Sequence, residues 1–81
     1  MNSRIVKSRE ELEAWLTKQL RSYPDCENCS IYGVNGLQQP DLTGCNWSEG
    51  VFINYSNANK GYVNTKVSEV VMGARQLFNI S

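Results

Sequence analysis

In the stretch SREELEAWLTKQLRSY, apolar residues return every three or four positions, at Leu12, Trp15, Leu16, Leu20 and Tyr23. That spacing places them on one face of a helix. Ser8 followed three residues later by Glu11 is a capping-box pattern, and Pro24 ends the run. The other face carries Arg9, Glu10, Glu13, Lys18 and Arg21 and reads as a solvated surface. A second stripe runs through TKVSEVVMGARQLFNIS, where Val67, Val70, Val71, Ala74, Leu77 and Phe78 share a face. Asn64 or Thr65 is placed to cap it. Gly73 within it predicts close packing of the helix on the sheet.

Between these helices the period changes from about 3.6 to 2. NCSIYGVNGL, residues 28–37, holds β-branched and aromatic residues interrupted by glycines. CNWSEGVFINYS, residues 45–56, alternates, with Cys45, Trp47, Val51, Ile53 and Tyr55 on one face and Asn46, Ser48, Phe52, Asn54 and Ser56 on the other. Trp47 and Cys45 share the parity of the core residues, so their structural reading outranks a chemical one, with Gly50 the place where a bulge would break the alternation. QQPDLTG joins the two strands as a loop and NANKG is a turn. A competing reading makes GYVNT a third strand.

The predicted order is helix, strand, strand, helix in a single domain over residues 1–81. The fold class is α+β, a small antiparallel sheet with two helices packed on one face. A chain of 81 residues buries only about 60–65% of the surface its unfolded form exposes, which limits it to one modest core.

The formal charge of zero, from 8 basic and 8 acidic residues, removes the electrostatic driving force on which nucleic-acid binding depends. No Lys or Arg occurs between Ser22 and Asn59, so the middle of the chain cannot neutralise phosphates. The sequence has no apolar run long enough to span a bilayer and no apolar stretch of the signal-peptide kind near its start, so the expected location is cytoplasmic and no membrane partner is expected. Four Asn-x-Ser sequons, at Asn28, Asn46, Asn54 and Asn79, then have no route to glycosylation.

Cys26, Cys29 and Cys45 form a C-x2-C pair with a third cysteine. A tetrahedral structural zinc needs four Cys or His ligands, and the chain has no His. A fourth ligand would have to be Asp25, Asp41, Glu49 or a residue from another subunit. Packed, reduced thiols are the expected state, with Cys26 and Cys29 near the surface where the helix gives way to the strand, and no cofactor is expected. Cys45 has no histidine to act as its base, and neither a phosphate loop nor a nucleophile elbow is present. An enzyme is not expected. The outward feature is the second face of the sheet. Tyr32, Val34, Phe52 and Asn54 fall there, where two strands have no further layer to cover them, and they mark a surface for another protein or for self-association.

DCENCSIYGV, PDLTGCNWSEG and ARQLFNI together resemble a loose group of short proteobacterial and prophage-associated proteins. The likeness is most specific at Gly44, Cys45, Asn46, Trp47 and Ser48, and at Ala74, Arg75, Phe78 and Asn79. It implies bacterial or phage origin and no catalytic activity. With small size and neutral charge, it leads to the expectation of a non-enzymatic protein-binding domain, an accessory protein of a mobile element that inhibits a host defence complex in the manner of anti-CRISPR proteins. The alternative is a Cys-ligated zinc mini-domain contacting protein or nucleic acid.

Overall fold

The computed structural model of the chain describes residues 4–81 and is α+β. Its elements are β1 (Ile5–Lys7), α1 (Arg9–Arg21), β2 (Ser30–Tyr32), β3 (Phe52–Asn54), α2 (Lys60–Leu77) and β4 (Phe78–Ile80). The central order helix, strand, strand, helix is as expected, and a strand is added at each end. One continuous core joins Leu12, Leu16 and Leu20 of α1 to Val63, Val67, Val70, Val71 and Ala74 of α2, with Ile31, Trp47 and Phe78 between them.

The expected single antiparallel sheet is instead two separate pairs, β1–β4 and β2–β3. β2 and β3 are antiparallel, with Ser30 opposite Asn54, Ile31 opposite Ile53 and Tyr32 opposite Phe52. Beyond them the same hairpin is pinched again at a bridge between Gly36 and Trp47. β1 and β4 are parallel, Ile5 opposite Phe78 and Lys7 opposite Ile80. The two pairs cannot merge because the other edge of β4 is already occupied by side chains. The Asn46 amide donates to the Ile80 carbonyl at 2.8 Å and accepts from the Ile80 N–H at 2.8 Å, as a neighbouring strand would.

α1 begins as its sequence dictates. The Ser8 hydroxyl accepts from the Glu11 N–H at 3.1 Å and the Glu11 carboxylate accepts from the Ser8 N–H at 2.9 Å. The Ser8 N–H, and after it the Ser8 hydroxyl, hold the Glu11 carboxyl below its ordinary value. The charged face of α1 is not simply solvated, however. Arg21 Nε donates to the Cys29 carbonyl at 2.8 Å, the Thr17 hydroxyl both accepts from the Ile31 N–H at 2.9 Å and donates to the Ile31 carbonyl at 3.2 Å, and Glu13 accepts from the Val34 N–H at 3.1 Å. Arg9 reaches the Val34 carbonyl at 3.5 Å. Residues 9, 13, 17 and 21 thus form one row along the helix that satisfies the outer edge of the segment from Cys29 to Val34, with β2 at its centre.

α2 starts earlier than the pattern suggested. Asn59, not Asn64 or Thr65, is its cap, accepting from the Tyr62 N–H at 3.0 Å. GYVNT is therefore helical and not a third strand. The helix passes straight into β4 at Phe78, whose extended backbone turns Leu77 outward while Phe78 stays buried. Gly73 faces open space, with no atom within 4 Å of where a Cβ would stand, so the expected close packing there is not found. Gly73→Ala should therefore stabilise the protein by up to about 1 kcal/mol through helix propensity alone. A raised midpoint in thermal or denaturant unfolding is the expected result, and a lowered midpoint would show that the position is packed.

Candidate functional site

Tyr32 and Phe52 face each other across the β2–β3 pair. Their rings stack at 5.8 Å between centroids and 22° between planes, and they remain 51% and 57% exposed. Alternation explains the direction, because Ile31 and Ile53 between them turn into the core. Asn54 lies beside Phe52 on the same face, exposed, and its carboxamide oxygen accepts from the Ser56 N–H at 2.9 Å. That bond holds the turn in which Ser56 takes a left-handed φ of 54°.

Val34, expected on this face, is only 2% exposed and belongs to the core. Gly33 is the cause. Its φ of 69° breaks the alternation between Tyr32 and Val34 and turns Val34 inward, a conformation that suits a residue without a Cβ. The ring of Phe52 occupies the space that a Cβ on Gly33 would need, so the glycine serves the aromatic stack as well. Three of the four expected surface residues, Tyr32, Phe52 and Asn54, are thus brought together. The apolar exposure that the sequence reading missed lies at Ile5 and Val6 of β1, at Leu42, and at Met72 and Leu77 of α2.

The segment Gly44–Trp47 behaves as the expected structural element. Trp47 is fully buried and its indole N–H donates to the Phe78 carbonyl at 2.9 Å. Arg75 donates from Nε to the Trp47 carbonyl at 3.1 Å and pairs with the Asp41 carboxylate at 2.6 Å. Asn79 donates to the Gly44 carbonyl at 3.1 Å and accepts from Arg4 Nε at 2.8 Å and from the Asn46 N–H at 3.3 Å. Arg4 also donates to the carbonyls of Arg75 and Phe78. Residues 44–47 and 75–79 therefore interlock as one hydrogen-bonded clamp. The Asp41 carboxylate closes its loop by accepting from the hydroxyl and N–H of Thr43 and from the Cys45 N–H. Its pKa is lowered to about 2, chiefly by the Thr43 hydroxyl and with Arg75 contributing.

All three cysteines are free thiols and fully buried. The expectation that Cys26 and Cys29 lie near the surface does not hold, because successive turns with bonds from the Cys26 N–H to Tyr23 and from the Cys29 N–H to Cys26 roll both side chains inward. Burial, with the neighbouring Cys29, pushes the Cys26 thiol above its ordinary pKa, which disfavours the thiolate needed for nucleophilic or ligand chemistry. Among the described residues, no three Cys, His, Asp or Glu side chains converge on a position able to hold a metal ion. A cleft of about 490 Å³ opens near Cys29, lined by Asp25, Glu27, Asn28, Asn57 and Tyr62. Among the described residues, no helix is long and apolar enough to cross a membrane. No protein-family model, curated protein or solved structure matches the chain.

Proposed function

We propose that this is a small, non-enzymatic, cytoplasmic protein-binding domain of bacterial or phage origin, whose binding surface is the outer face of the β2–β3 pair. The observation that carries the reading is the Tyr32–Phe52 stack, two large aromatic side chains left about half exposed on strands that hold them in fixed orientation. Rigid aromatics lose little conformational freedom on binding and dominate the energetics of protein interfaces. The segment around them has no Lys or Arg, which favours a protein partner over nucleic acid. An accessory role for a mobile element, as an inhibitor of a host defence complex, is the form of this function that the sequence resemblance suggests.

Phe52→Asp tests the reading. An exposed side chain contributes little to folding, whereas an aromatic at the centre of an interface contributes about 2 kcal/mol or more, roughly 30-fold in affinity. Affinity capture from a bacterial lysate, run with the parent and the variant side by side, should lose its specific partner in the variant while circular dichroism and the melting temperature stay close to the parent's. Unfolding of the variant would place Phe52 in the core, and undiminished capture would move the surface elsewhere.

A further inference from the structure

β2 and β3 are finished differently at their outer edges. Ile31 turns both its N–H and its carbonyl toward Thr17 of α1. In an antiparallel pair, a residue directs both groups to the same side, and residues directly opposite one another either exchange both bonds or neither. Ile53 is opposite Ile31, so its N–H and carbonyl point away from β2, to the outer edge of β3. Among the described residues neither group has a hydrogen-bond partner. On both sides of it, one of the two groups that would continue the edge is engaged within the chain. The Val51 N–H donates to the Glu49 carbonyl at 3.0 Å, and the Tyr55 carbonyl accepts from the Ala58 N–H at 3.0 Å. Ile53 is therefore the residue of this edge that keeps both its donor and its acceptor without a partner, and the open edge is centred on it.

A residue offering one donor and one acceptor at the same spacing would close it, and Ile53 of a second copy does so about a two-fold axis perpendicular to the sheet. We infer that β3 is the seam of a homodimer, in which the two Ile53 residues exchange backbone hydrogen bonds and join two hairpins into a four-stranded antiparallel sheet. The inference rests on the reading of this region as a protein-binding surface and names a second copy as an occupant. Three observations favour a second copy. The pairing sets Phe52 opposite the partner's Asn54, an aromatic against a small amide, so two bulky rings do not meet head on. No charged residue occurs from Gly50 to Asn59, so like charges are not brought together across the seam. A two-stranded hairpin is marginal by itself, and pairing doubles the sheet. The axis keeps both outer faces on one side, so the two Tyr32–Phe52 stacks lie on one continuous surface.

Removing a single donor tests this. Chemical ligation at Cys45 allows the chain to be assembled with N-methyl-Ile53, which deletes the outward N–H and leaves every side chain in place. In sedimentation equilibrium over a dilution series, the unmodified protein should pass from monomer to twice that mass, with exchange of the Ile53 amide slowing as the dimer fraction rises. The N-methyl protein should lose the dimer and keep its circular dichroism. A monomer at every concentration would overturn the proposal, as would a dimer in which the Ile53 amide exchanges at the monomer rate or the N-methyl protein still pairs. If the N-methyl protein does not fold, amide exchange in the unmodified chain decides. A failed dimer combined with loss of partner capture in Phe52→Asp would sink the seam and leave the proposed function standing, whereas an intact seam with undiminished capture would do the reverse.

Discussion

Trp47→Ala should leave the protein without fixed tertiary packing. Trp47 is fully buried at the meeting point of the hairpin, α2 and β4, and its N–H bonds the Phe78 carbonyl. Truncating a buried tryptophan typically costs about 3–5 kcal/mol, a large part of the roughly 5–15 kcal/mol that separates a folded domain from its unfolded chain. The expected observations are loss of near-ultraviolet circular dichroism and of a cooperative thermal transition. Trp47→Phe keeps most of the volume and leaves the Phe78 carbonyl bonded by Arg4, so it should lower the melting temperature and retain the transition. A Trp47→Ala protein that melts at the parental temperature would favour the chemical reading of the tryptophan over the structural one.

The second large effect is expected from Asn46→Asp, which changes shape hardly at all. The Asn46 amide acts as a strand neighbour to Ile80, donating to its carbonyl and accepting from its N–H. A carboxylate keeps the second bond and replaces the first with two oxygens facing each other in a part-buried site. Leaving a buried acceptor opposed in this way costs about 1–3 kcal/mol, more when charge is involved. The sign with pH follows from the same contact. The protonated carboxyl can donate to the Ile80 carbonyl, so the folded-state pKa of the new group is raised above its unfolded value. The deficit relative to the parent should be largest near neutral pH and shrink as pH falls through that raised pKa. A denaturation midpoint equal to the parent's at pH 7, or a deficit that grows with acidification, would mean that the amide does not hold the β4 edge.

How much of this was legible depends on the range of the interaction concerned. α1 was readable because its determinants are local, the Ser8–Glu11 capping box and the leucines that it buries. The inward parity of Cys45 and Trp47 and the outward parity of Phe52 and Asn54 follow from the two-residue period of a strand. Val34 was misplaced because alternation survives only while the backbone stays extended, and Gly33 interrupts it. The β1–β4 pair was not legible at all. Ile5 and Phe78 meet across nearly the whole chain, and short parallel strands at such separation leave no local pattern beyond two β-branched residues and the end of an apolar stripe. The start of α2 was misjudged for a related reason, as Asn59, Asn64 and Thr65 are all competent caps and the tertiary fold selects the first.

Within the row Arg9, Glu13, Thr17 and Arg21, the three charged residues were read as solvent-facing because charge is usually a sign of water. Its partners are backbone groups of β2 and of Cys29 and Val34 on either side of it, which no side-chain pattern advertises. The row also sets a constraint of a different kind, one of commensurate lengths. Four residues of α-helix advance about 6.0 Å, and two residues of β-strand about 6.6–6.8 Å. A helix row at every fourth position therefore keeps nearly in step with every second residue of a strand running the other way, as from Arg21 on Cys29 to Thr17 on Ile31, and the step is lost at Gly33, beyond which Glu13 and Arg9 both reach Val34. The match tolerates exchange of one polar side chain for another of similar reach. It does not tolerate a change of count, because one residue inserted between Glu13 and Thr17 would swing everything beyond it by about 100° around the helix and leave the Ile31 and Cys29 backbone groups without partners. Sequences that keep this fold are free to vary in the identity of those four residues and bound in their spacing.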